Sequence, residues 1–144
     1  MAEKSLVDRD IDFGKRVVTA LDQAEDADMH PTAALWFSFP DEDVWRLVLA
    51  VPAMRKQNPQ EVYAKLIGLL SGNVVGDMSV ESVGLTAPES PLLNLLSVAI
   101  QTPPDAIVGI RFTNNVINGQ LIPDAYIYRL SRDAPAAGTP RIPG

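Results

Sequence analysis

Residues 33–52 read AALWFSFPDEDVWRLVLAVP. Two apolar runs rich in β-branched and aromatic residues flank a Pro-Asp-Glu-Asp stretch, which is the pattern of a β-hairpin. A reversal at Asp41-Glu42 pairs Phe39 with Val44, Phe37 with Arg46 and Leu35 with Val48 on one side, and Trp36 with Leu47 and Ser38 with Trp45 on the other. Neither side alternates to polar. Such strands are central and covered on both faces, or half covered with an aromatic patch that meets another chain. Trp36 and Trp45 share one face, and the two settings open to them are core anchors beneath a helix or contact residues of an interface.

Working outward towards the C-terminus, Asn58-Pro59-Gln60-Glu61 combines an N-cap residue, proline at the first helical position and a carboxylate placed as in a capping box. A helix is predicted from there through Val62, Tyr63, Leu66, Ile67 and Leu70, ending near Ser71-Gly72. Met78–Ala87 reads as a strand, with Gly84 marking a bulge or a close approach. Ser90-Pro91 opens a third, almost wholly apolar helix that stops at Thr102-Pro103-Pro104, a composition that predicts burial. On the N-terminal side, Val7, Ile11, Val18 and Leu21 recur at helical spacing from Leu6 to about Ala27. Asp22, Glu25, Asp26 and Asp28 crowd the end of that helix; with no ordered ligand spacing they read as a solvated helix end rather than a cation loop.

The last strand signal is IVGIRFTNNVINGQLIPDAYIYRL, with Asn118-Gly119 between two strand-like runs. A two-residue turn there places Arg111 opposite Tyr126, Thr113 opposite Asp124 and Gly109 opposite Tyr128, while Ile110, Phe112, Ala125 and Ile127 take the core face. Pro123 lacks a donor and predicts an edge or a bulge at its position. The order helix, strand, strand, helix, strand, helix, strand, strand predicts an α+β fold. About five strands form a mostly antiparallel, or mixed, sheet built from two hairpins plus one strand and packed against three helices. Residues 1–130 are expected as a single globular domain and 131–144 as a disordered tail.

Composition narrows the chemistry. A chain of 144 residues with 47% hydrophobic content is enough for one core, burying roughly 70% of its unfolded surface. The absence of cysteine excludes thiolate metal sites and thiol nucleophiles and fits a reducing, cytoplasmic setting. The opening residues are charged, and no apolar run reaches the roughly 20 residues of a membrane span, so neither export nor a membrane is expected. A net charge of −6, with scattered cations, speaks against nucleic acid. From Leu66 to Ile110 there is no Lys or Arg against four carboxylates, Asp77, Glu81, Glu89 and Asp105, a local charge of −4. So few long charged side chains imply burial, within the domain or against a partner.

Catalytic signatures are lacking. His30, the single histidine, has no second histidine or cysteine to work with. The stretch from Gly72 to Gly76 lacks the lysine and hydroxyl of a phosphate loop, and no serine stands in a nucleophile elbow. Two polar constellations remain. Arg111 and Asp124, with Tyr126 and Tyr128 beside them, would bind an anionic carboxylate or phosphate, or else simply form an internal salt bridge. Asp41, Glu42 and Asp43 would hold magnesium only with help from Asp124 or Glu61. No cofactor is expected. The reading that follows is a non-catalytic intracellular binding or assembly module that self-associates or meets a protein partner through Trp36 and Trp45. The alternative is a small enzyme or ligand-binding domain for an anionic substrate held by Arg111 and Asp124.

Overall fold

The computed structural model describes residues 8–39, 44–70, 83–104 and 106–131. The expected turn at Asp41-Glu42, the acidic trio completed by Asp43, the stretch from Gly72 to Gly76, the first part of the expected third strand and residues 132–144 lie outside them.

Helix α1 (Asp8–Asp22) buries Phe13, Gly14, Val17, Val18 and Leu21, a stripe at the three-and-four spacing of one helical face. A single 3-10 turn (Ala27–Met29) leads into the hairpin of β1 (Ala33–Phe39) and β2 (Val44–Ala50). Its register is the expected one throughout, from Ala33 opposite Ala50 to Phe39 opposite Val44. A short helix α2 (Ala53–Lys56), not expected from the sequence, precedes α3 (Pro59–Leu70). The Asn58 carboxamide accepts from the Gln60 N–H at 2.8 Å, the capping bond that starts α3. β3 (Val83–Thr86) then pairs with β2 in parallel, so the path through α2 and α3 is a crossover and the sheet is mixed. Helix α4 (Pro91–Leu96) starts at a Ser90 cap but is shorter than its apolar run suggested: the chain leaves the helix at Ser97, before Val98 and Ile100. β4 (Ile110–Ile117) and β5 (Gln120–Leu130) form the second hairpin.

The strand order is β3-β2-β1-β5-β4, one five-stranded α+β sheet with β1 at its centre. That position explains the two greasy faces of the first hairpin. On one side Ala34, Trp36, Leu47 and Leu49 meet Val17, Val18 and Leu21 of α1 and Val62, Leu66 and Leu70 of α3. On the other, Ala33, Leu35, Phe37 and Val48 meet Leu93 and Leu96 of α4 with Ala125 and Ile127 of β5. The cation-free block contributes Leu66, Leu70, Val83, Leu85, Leu93 and Leu96 to these cores, but leaves Ile67 and Val98 exposed.

Candidate functional site

The second hairpin keeps the register set by its turn, with Arg111 opposite Tyr126, Thr113 opposite Asp124 and Ile117 opposite Gln120. Asn118 and Gly119 both have positive φ, 51° and 80°, the conformation that a two-residue turn of the right twist requires. The difficulty at Pro123 is resolved on the facing strand: Asn114, between the pairs Thr113–Asp124 and Asn115–Ile122, adopts φ 53° and breaks the ladder where proline has no donor to give.

Arg111 and Asp124 meet in a two-pronged ion pair, Nε to Oδ1 at 2.7 Å and Nη2 to Oδ2 at 2.8 Å. The guanidinium also lies over the Trp45 ring, 5.7 Å from its centroid, so the β4 side chain reaches back across the sheet face to β2. The Asp124 hydrogen bond pushes the Arg111 pKa further up. Two of the five guanidinium N–H groups are committed to Asp124. An incoming anion would meet a neutralised pair, partly exposed, of the kind worth about 0–1 kcal/mol. Tyr126 is half-buried beside them and packs against the first core.

Tyr128 and Trp36 are placed differently. Residues Ala34 and Leu35 of β1 pair with Arg129 and Ile127, which leaves Tyr128 as the extra residue of a β-bulge. The bulge sends both Tyr128 and Arg129 towards α1. Tyr128 is 1% exposed; its hydroxyl donates to the Ile11 carbonyl at 2.6 Å and accepts from Trp36 Nε1 at 3.0 Å. Burial raises the Tyr128 pKa far above its ordinary value, so this hydroxyl stays a donor. Trp36, also 1% exposed, donates to the Asp10 carbonyl as well. Of the two settings open to a tryptophan here, Trp36 takes the core. Both rings tie α1 to the sheet and offer no surface to a ligand or partner, whereas Trp45 is only half-buried.

The acidic end of α1 is not simply solvated, as its sequence suggested. Asp22 accepts from Arg129 Nη1 and Nη2 at 2.9 and 2.8 Å. Asp26 pairs with Lys65 of α3 at 3.1 Å and Asp28 with Lys56 of α2 at 3.3 Å. Three carboxylates close together in sequence thus reach cations on three different elements. Arg129 is 0% exposed and also donates to the carbonyls of Pro31 and Ala106. Its signal in the sequence is slight, an arginine inside the otherwise apolar run YIYRL. His30 is occupied by structure too, its Nε2–H donating to the Ala24 carbonyl at 2.7 Å. Among the described residues no group of three metal-ligating side chains stands together, and no helix is long and apolar enough to cross a membrane.

The feature that sequence reasoning missed is the outer arm of the second hairpin. The last pair between β1 and β5 is Phe37–Ala125, so among the described residues β5 from Gln120 to Asp124 pairs with β4 alone. On this arm the cross-strand neighbours Val116 and Leu121 are 66% and 59% exposed. From Phe112 to Pro123 no residue is charged. Comparison of the chain with protein-family models, with curated proteins and with solved structures gives no match.

Proposed function

We propose that this chain is a non-catalytic binding or assembly module that makes its protein contact through the β4–β5 arm. One observation carries the reading: the exposed Val116–Leu121 pair on an arm that is free of charge over residues 112–123. Edge strands are ordinarily blunted by charged side chains, and an edge arm that lacks them is open to pairing with another chain. Asn114, with its left-handed backbone, interrupts β4 midway. The arm therefore offers side chains more than a continuous run of backbone hydrogen bonds. The occupant most compatible with the charge is a second copy, because two chains of net −6 approach with least repulsion where neither carries charge. The interface expected at Trp36 and Trp45 thus moves to the arm. A competing anion site at Arg111 has less support, since its guanidinium is closed onto Asp124 and Trp45.

Light scattering over a dilution series tests this. The expected result is a reversible dimer whose dissociation constant rises at least tenfold in Leu121→Glu, with an unchanged circular dichroism spectrum. A strict monomer at every concentration, or a dimer indifferent to Leu121→Glu and to Val116→Lys, refutes self-association through the arm.

A further inference from the structure

The β4–β5 arm is rich in carboxamides: Asn114, Asn115, Asn118 and Gln120 all stand between Thr113 and Leu121. What an asparagine can do depends on the residue that follows it, because the backbone nitrogen of that residue is the nucleophile nearest its side-chain carbon. Asn58 is followed by proline, which has no N–H to ionise. Asn94 and Asn115 hold their carboxamides on the carbonyls of Glu89 and Thr113, at 3.1 and 3.3 Å. Asn114 precedes Asn115, whose side chain crowds the nitrogen. Asn118 differs on each count: it is exposed at the hairpin tip, among the described residues no bond ties its carboxamide, and it precedes Gly119.

The turn also leaves the required nitrogen unused. In a two-residue turn the closing bonds of the ladder run between Ile117 and Gln120, so the Gly119 N–H takes no part in them. Both turn residues sit in the left-handed region, φ 51° and 80°. Attack on Asn118 requires rotation about its Cα–C bond as the tip opens, and glycine, with no Cβ, opposes neither that rotation nor the approach. Ile117 and Gln120 close the arm with no third strand beside them among the described residues, so the tip opens without disturbing the rest of the sheet.

We propose that Asn118-Gly119 is a self-modification site, at which the chain converts Asn118 to aspartate and so places a carboxylate in the uncharged tip of the arm. Hydroxide removes the Gly119 amide proton and the nitrogen forms a bond to Asn118 Cγ. The Cγ–Nδ2 bond breaks, and Nδ2 leaves as ammonia with a proton from water. Water then opens the resulting succinimide ring at either carbonyl. Opening at Cγ gives an ordinary aspartate; opening at the Asn118 backbone carbonyl gives a β-linked aspartate, whose chain runs through Cγ. In sum a water is consumed, an ammonia is released and nothing is oxidised or reduced. The new charge stands two residues from Val116 and three from Leu121. Its consequence rests on the reading of the arm as a contact surface: two modified tips bring like charges together, so the reaction acts as a clock that loosens self-association.

The test is to age the full chain in mildly alkaline buffer and follow the tryptic peptide Phe112–Arg129 by mass spectrometry. Conversion at Asn118 is expected at least tenfold faster than at Asn114 or Asn115 in the same peptide, in proportion to hydroxide concentration, and with both linkages among the products. Asn118→Gly, which the turn accepts, should remove this conversion and keep the fold. The proposal is overturned if Asn118 reacts no faster than its two neighbours, or if ordinary aspartate forms without the β-linked product. The consequence is read separately, by light scattering of Asn118→Asp. A dissociation constant at least threefold above the parent's is expected, with Asn118→Gly unchanged, and equal constants overturn the clock. A parent that is monomeric throughout fails the contact reading and the clock with it, while conversion at Asn118 is still decided by the peptide.

Discussion

Replacing Asp22 by asparagine is the most direct probe of how this fold is locked. The change is nearly isosteric and leaves the α1 backbone intact, yet it withdraws the negative charge that Arg129 holds at 2.9 and 2.8 Å. Arg129 is 0% exposed, so the charge left behind has no water to turn to. Breaking one partner of a buried pair costs about 3–5 kcal/mol. The Asp22 side chain keeps 29% exposure, and Arg129 still donates to Pro31 and Ala106, which puts the loss at the lower end, about 3 kcal/mol. For a domain of this size that corresponds to a fall in Tm of about 10 °C. In urea, with a slope of roughly 1.5 kcal/mol/M, the midpoint moves by about 2 M. Tryptophan fluorescence reports the transition, because Trp36 lies in the core beside Tyr128. A paired replacement, Asp22→Leu with Arg129→Met, removes both charges and is expected to cost clearly less than the two single changes summed. A loss under about 1 kcal/mol for Asp22→Asn, or simple additivity in the paired replacement, would show that the buried ion pair does not hold α1 to β5.

Three further outcomes concern other contacts of the fold. Gly14→Ala gains helix propensity of about 1 kcal/mol, but its Cβ would fall on the Tyr128 hydroxyl with Cε2 and Cζ 2.7 Å away. Overpacking of about 1–3 kcal/mol wins, so the melting temperature should drop; a rise would mean that α1 does not rest on Tyr128. Tyr128 is held neutral by burial, with its pKa raised above the ordinary 10.0. Its stabilisation is present below that unfolded value and lost as pH rises towards the folded one. Alkaline titration should therefore unfold the parent more steeply than Tyr128→Phe, and identical curves would contradict this. At the acid end the signs reverse. Arg55 of α2 forms an ion pair with Glu89 and holds it below its ordinary 4.5, and Lys65 holds Asp26 below its ordinary 3.8. Stability is full above those values and declines as pH falls through the folded ones, so Glu89→Gln should flatten part of that decline in a chemical denaturation series. An unchanged slope would remove the Arg55–Glu89 pair from the account.

The residues themselves determined whatever is local. Side-chain alternation and turn chemistry are short-range, so both hairpin registers could be read directly: Asn118-Gly119 demands positive φ, and a reversal between Phe39 and Val44 fixes every pair back to Ala33 and Ala50. The Asn58-Pro59 start of α3 and the Ser90-Pro91 start of α4 were legible for the same reason, since a cap is made within a few residues. The α+β class followed from the order of these elements.

Only the folded chain decided what lies far apart in sequence. The greasy first hairpin was compatible with a central strand or an exposed patch, and the choice was made when β5 docked along β1 on the side away from β2. The bulge at Tyr128 has no counterpart in the period of its strand, yet it turns Tyr128 and Arg129 together towards α1. Tyr128 thereby leaves the candidate ligand face for a bond to Ile11, 117 residues away, and Arg129 reaches Asp22 across 107. Asp22, Asp26 and Asp28 looked alike as neighbours in a chain, because a carboxylate acquires a role from the cation that packing brings to it. Tertiary docking likewise separated Val116 and Leu121 from the other apolar strand residues: their neighbours Ile117 and Ile122 join the core that holds Leu93 and Leu96 of α4, while Val116 and Leu121 stay exposed.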